Sequence, residues 1–177
     1  CYAFMWAVSK NSWISAFTTA LLVFDFMHFT LSRIGTIDII VAYFILLTFY
    51  LMYRVLNRLK HGIDRCIVLL MILNGCAAGA AMATKWTGVY AGAGIALMFF
   101  LFLLREYIPA HGKRDILTLF GICVAAYLCI PAVIYVLSYL SYPMQPGEHL
   151  LKKMWDNQVL MLTYHESTVF DHPYSSE

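Results

Sequence analysis

The chain is expected to be an all-α polytopic membrane protein, and three observations lead there. Of its 177 residues, 62% are hydrophobic and only 12% charged, whereas soluble domains are about 45–50% apolar. The mean hydropathy is +0.72. The apolar residues also fall into runs long enough for spanning helices, which need about 20 residues each.

Taken in order, an apolar piece at 1–8, "CYAFMWAV", is too short to cross a bilayer. Five full spans are expected at roughly 13–31, 36–55, 66–84, 87–104 and 116–140. They are joined by "SKNS", "SRIGT", "NRLKHGIDR", "KWTG" and "REYIPAHGKRD". Because the chain opens inside an apolar run, it is expected to be an internal piece of a longer membrane bundle. Residues 1–142 form the transmembrane region on this basis, and 143–177 an outer-face loop. In that loop Leu150, Leu151, Met154, Trp155, Val159 and Leu162 recur at helical spacing, predicting an amphipathic helix on the membrane surface. Packing against neighbouring protein would produce the same pattern.

Cytoplasmic loops collect Lys and Arg. Lys10, Arg54, Arg58, Lys60, Arg65, Arg105, Lys113 and Arg114 fall on one side, and Arg33, Lys85, Lys152 and Lys153 on the other. The first side is therefore expected inside, and the tail from Ser141 on the extracytoplasmic face. A net charge of +2 with scattered basic residues excludes a nucleic-acid binder. The five cysteines lack the close paired spacing of a zinc or dithiol site. Asp171 beside His172 does not make a metal site, and neither metal nor cofactor is expected.

Gly75, Gly79, Gly88, Gly92 and Gly94, among alanines, predict close packing of the third and fourth full spans. That hairpin holds Lys85 and Trp86 at one height, with Trp86 an interfacial anchor or a sugar platform. Arg33 and Lys85 lie in turns tight enough to keep both near the membrane boundary, where a charge is costly and marks a candidate site. Snorkelling to lipid headgroups would also account for them. Asp25 and His28 in "FDFMHF" lie one to two turns inside the end of a span. Eight residues separate Asp25 from Arg33, about 12 Å on a continuous helix, so a shared polar cavity is expected rather than direct pairing.

Three stretches in this order resemble the protein O-mannosyltransferases, membrane glycosyltransferases of the GT-C class, with wording closest to bacterial members. "FDFMHFTLSRIGTID" is similar to the segment in which that family has an Asp, an Arg eight residues later and a further Asp, matched by Asp25, Arg33 and Asp38. "GAAMATKWTGVYAGAGIAL" is similar to its small-residue span ending in Lys-Trp/Phe-x-Gly, matched by Lys85, Trp86 and Gly88. "YHESTVFDHPYSSE" is similar to the start of the outer loop that continues from His-Pro-Tyr-x-Ser into a Trp-Pro run.

The resemblance implies transfer of mannose from a polyprenyl- or dolichyl-phosphate-mannose donor to Ser or Thr of exported proteins, in a bacterial plasma membrane. Lys85 and Arg33 would meet the donor phosphate; Asp25, His28 and Asp38 would line a polar cavity; His172 and Tyr174 would stand on the acceptor side. The family's acidic Asp-Glu pair, which would supply the base, falls upstream of Cys1, so this stretch alone is expected to be inactive. A GT-C transferase with a non-protein acceptor remains open, as does a non-catalytic membrane subunit. A transporter would place charges and broken helices at the bilayer midplane, and here the cations lie at the boundary.

Overall fold

The computed structural model describes residues 1–143 and 149–167, and every regular element among them is helical. A short α1 (Tyr2–Ser9) leads into α2 (Ser12–Phe24), which Asn11 starts by accepting from the N–H groups of Trp13 and Ile14 at 2.9 and 3.2 Å. Two of the donors that a helix N-terminus leaves unpaired are thereby satisfied. One residue later α3 (Phe26–Ile34) begins. Then α4 (Ile37–Leu59), α5 (Arg65–Thr84), α6 (Thr87–Ala110) and α7 (Lys113–Ser138) are each long and apolar enough to cross a membrane. With α2 and α3 taken together as a fifth candidate span, the chain is a polytopic helical bundle.

One expectation is corrected: 13–31 is not a single helix, because the axis bends by 58° between α2 and α3. Asp25 at the break has φ −61° and ψ 125°, and its carboxylate accepts from the N–H of His28 at 2.8 Å. A short acidic side chain satisfies backbone donors best from a cap position and competes with the ladder when placed mid-helix. The helix therefore restarts after it. Trp13, Phe24 and Phe26 are more than four-fifths exposed, an arrangement that suits lipid and not water. Replacing Asp25 with Ala should cost about 1 kcal/mol of stability through the lost cap, read as a lower thermal midpoint in detergent. An Asp25→Ser variant should recover most of it, and a midpoint untouched by either change would show that the break is imposed by packing.

α5 is the central helix. Half of its apolar window is buried, against 17–22% for the other three long spans. Its neighbours can approach because small residues face them: an added Cβ on Gly79 would come within 2.9 Å of the Cα of Pro131, and one on Gly88 within 2.4 Å of the carbonyl carbon of Ala81. Close backbone approach is how membrane helices gain dispersion contacts when lipid removes the usual advantage of burying apolar surface. A polar link adds to this: Asn74 on α5 donates from Nδ2 to Tyr127 Oη on α7 at 3.3 Å. Below it, Met52, Val55, Leu59, Ile67, Met71, Phe99 and Phe102 make the apolar core.

Two prolines inside spans are accommodated in the same way. Leu103–Tyr107 and Ala125–Cys129 are π-helical, and Pro109 and Pro131 each follow two residues after such a turn. A proline ring clashes with the carbonyl four residues back and removes a donor; widening the preceding turn relieves both. At the basic end of the bundle, Asp64 caps α5 through the N–H of Ile67 at 2.7 Å and pairs with Arg58 at 2.6 Å. The guanidinium of Arg58 holds the exposed Asp64 carboxyl below the usual carboxylate range, helped by the Ile67 hydrogen bond. Lys60 meets Glu106 at 2.8 Å.

From Val136 onward the chain forms a second compact unit. Within it, α8 (Leu150–Ser167) exposes Leu151, Trp155, Val159 and Leu162. Gln158 donates to Tyr139 Oη at 3.1 Å, and the Lys153 ammonium lies 5.7 Å from the Tyr142 ring centroid.

Candidate functional site

The turn between α5 and α6 is made by two residues. Lys85 is extended, with φ −161° and ψ 150°, and its N–H still closes the last turn of α5 on Ala81 O at 3.1 Å. Trp86 follows in the right-handed helical region and starts α6, with Gly88 N–H returning to Lys85 O at 2.9 Å. Gly88 is required at this place. Its Cα lies against the backbone of Ala81 and Met82, where any side chain would collide. The result is a hairpin too tight to let Lys85 drift.

A second turn, between α3 and α4, lies at the same end of the spans, since Lys85 meets Asp38 just beyond it. Arg33 stands in the last turn of α3, which ends on Gly35 in the left-handed region at φ 72°, its N–H on Leu31 O at 3.1 Å. That conformation suits glycine and ends the helix abruptly. Two residues on, α4 opens with Asp38 in its first turn, where the helix dipole favours a carboxylate.

The fold brings Lys85 and Asp38 together. The ammonium donates to Asp38 Oδ1 at 2.5 Å, and both side chains remain about two-fifths exposed. One carboxylate occupies one of three ammonium donors, so Lys85 is oriented without being spent. An exposed pair of this kind adds about 0–1 kcal/mol to stability. Its effect is positional: it fixes where a positive charge stands at the end of the spans.

The other predicted residues are held locally. Arg33 is exposed and places its guanidinium 5.5 Å from the Phe29 ring centroid, with no ion pair among the described residues. Asp25 caps α3, and His28 contributes its backbone N–H to that cap. His172 and Tyr174 lie outside the described residues. No group of three or more His, Cys, Asp or Glu that could hold a metal occurs among the described residues.

A feature the sequence did not announce runs along α6. An apolar cavity of about 590 Å³ is lined from Val89 through Gly92 and Phe99 to Leu103, and is walled by Met52, Met82 and Tyr127 among others. Fourteen residues of helix separate Val89 from Leu103, about 21 Å. Val89 is one turn from Lys85. The residues that could have revealed the cavity are the small ones, Gly92, Ala93 and Ala96, but small residues at that spacing signal close packing equally well.

These spans and their boundary charges define an integral membrane protein of the polytopic helical class. Residues 1–141 match the dolichyl-phosphate-mannose-protein mannosyltransferase family, and the chain belongs to it. At the level of the family this is a glycosyltransferase, and the family's description names a dolichyl-phosphate-mannose donor and a protein acceptor. Neither the curated proteins nor the solved structures yield a match.

Proposed function

We propose that the chain carries the donor-binding wall of a bacterial plasma-membrane enzyme that moves mannose from a polyprenyl-phosphate carrier to Ser or Thr of exported proteins. The observation that carries this reading is the Asp38-anchored ammonium of Lys85, four residues before Val89, where the lining of an apolar cavity along α6 begins, in a chain of the mannosyltransferase family. When the mannosyl bond breaks, negative charge grows on the departing lipid phosphate. A cation held in place beforehand stabilises that charge without having to reorganise. Lys85 offers a point charge, and Arg33, on the neighbouring turn and without an acidic partner among the described residues, offers a planar fork for phosphate oxygens. The branched prenyl chain then follows α6 down the cavity.

In this reading the Lys85 end of the spans faces the extracytoplasmic side and the Arg54 end the cytoplasm. The base comes from an acidic pair preceding Cys1 in the chain, α8 lies on the outer membrane surface, and His172 and Tyr174 stand on the acceptor side. The test is mannose transfer by the full-length protein in membranes, using polyprenyl-phosphate-[3H]mannose and a Ser/Thr-rich peptide. Label should appear on peptide hydroxyls, and GDP-mannose supplied without the lipid carrier should give none. Transfer to a lipid or glycan and not to peptide would remove the protein acceptor from the proposal.

A further inference from the structure

Tyr50, Tyr53, Arg54, Asn57 and Arg58 recur at spacings of three and four, so one face of the last turns of α4 is both aromatic and basic. That face meets α1. Tyr53 Oη donates to Ala7 O at 3.2 Å, and the Phe4 ring lies 5.9 and 6.0 Å from those of Tyr50 and Tyr53. A cavity of about 760 Å³ opens there, with Trp6, Lys10, Tyr50, Tyr53, Arg54 and Arg58 in its lining. Sixteen residues of helix separate Asp38 from Arg54, about 24 Å. The cavity therefore lies at the opposite end of α4 from Lys85.

Its charge is unbalanced. No carboxylate lines it among the described residues. Arg58 is answered by Asp64, but among the described residues Arg54 has no ion pair, with Nη1 donating to Tyr50 Oη at 3.4 Å and its guanidinium 5.9 Å from the Tyr50 ring centroid. Lys10 has no ion pair among the described residues. It is also the one described non-glycine residue in the left-handed region, at φ 54°, where its N–H closes α1 on Trp6 O at 3.0 Å. Glycine fits that backbone without strain. A lysine there sets a cation on the cavity's rim.

We propose that this cavity binds the phosphate headgroup of an anionic phospholipid, with Arg54 and Lys10 on the phosphate. A lipid source is favoured over a soluble one by position: the cavity sits at the end of a spanning helix, among Tyr and Trp side chains of the kind that settle at headgroup level. Basic pockets between membrane helices suit anionic headgroups, and arginine pairs with phosphate through two parallel hydrogen bonds. The site is separate from the donor site and does not depend on the proposed reaction.

The test titrates purified full-length protein, in neutral detergent, with dihexanoyl-phosphatidylglycerol, dihexanoyl-phosphatidylcholine and inorganic phosphate, reading tryptophan fluorescence and thermal midpoint. Phosphatidylglycerol should saturate and raise the midpoint, and the other two should not. Arg54→Ala and Lys10→Gly should each weaken phosphatidylglycerol about fivefold, and the pair about thirtyfold. Lys10→Gly keeps the turn and relieves its strain, so its midpoint without lipid should hold or rise while affinity falls, which a fold defect would not produce. Arg54→Lys should lose less than Arg54→Ala, and Lys60→Ala, outside the cavity and paired with Glu106, should bind as the parent does. Unchanged affinity in the double variant, or equal binding of phosphatidylcholine, would overturn the proposal. Saturation by inorganic phosphate at the lipid's affinity would make the ligand a soluble anion and overturn it too.

Discussion

Gly75→Ala should be among the most damaging single changes in this chain, lowering stability by about 3 kcal/mol or preventing a folded product from accumulating. A Cβ added at Gly75 would stand 1.9 Å from the carbonyl oxygen of Ala126 and 2.9 Å from its carbonyl carbon. Both are backbone atoms, so no side chain can swing away. Ala126 lies within the π-helical turn Ala125–Cys129 that accommodates Pro131, and that turn cannot retreat without reopening the clash between the proline ring and the carbonyl behind it. Inserting even one methyl into a packed interior typically costs about 1–3 kcal/mol, and here it also separates Asn74 from Tyr127, one residue and one helix away. The measurement is a thermal melt of the purified protein in detergent, with Gly94→Ala as control because an added Cβ there meets nothing within 4 Å. Similar midpoints for the two variants would mean that α5 and α7 do not pack as described.

Lys85→Ala should leave the fold standing and remove most of the mannosyl transfer. The fold survives because the pair with Asp38 is substantially exposed, and such pairs contribute about 0–1 kcal/mol. The orphaned Asp38 carboxylate also remains favoured by the N-terminal end of α4. Turnover in the full-length enzyme should fall by about one to three orders of magnitude, on the scale of the roughly 2.7–4 kcal/mol lost with one preorganised oxyanion donor. Arginine at this position should restore only part, since a longer, forked head places its charge elsewhere. Asp38→Asn is the informative companion: it keeps an oxygen acceptor for the ammonium but removes a negative charge near the donor phosphate, so the apparent KM for donor should fall even if turnover drops. Parental transfer rates and donor affinity in a folded Lys85→Ala protein would return Lys85 to a headgroup-snorkelling lysine.

Much of the bundle was legible because the bilayer leaves few options. An apolar run of about 20 residues can satisfy its backbone in lipid only as a helix or in a closed barrel, so α4 to α7 follow from hydropathy and loop spacing. Asp25 shows where that logic stops. A window of apolar residues with one acid reads as a span, and that this acid leaves the ladder to cap a new helix on the N–H of His28 is visible only in the folded backbone. The same holds for the π-turns before Pro109 and Pro131: proline announces a disturbance, not the form of its relief.

The candidate site divides along the same line. By itself the sequence determined that Lys85 and Arg33 lie in short turns at the ends of spans, because a charge there has few other places to go. It also determined, through Gly88, that the Lys85 turn is tight. Only the tertiary structure decided that Lys85 reaches Asp38, 47 residues away in the chain, and that Arg33 does not use an acidic partner among the described residues. It alone placed an apolar cavity one turn from Lys85. Pairing across helices is set by axial register and rotation between α4 and α5, and in a membrane those follow from which small residues let two backbones approach. A one-turn slip would leave every hydropathy value unchanged and would separate the ammonium from its carboxylate by about 5 Å.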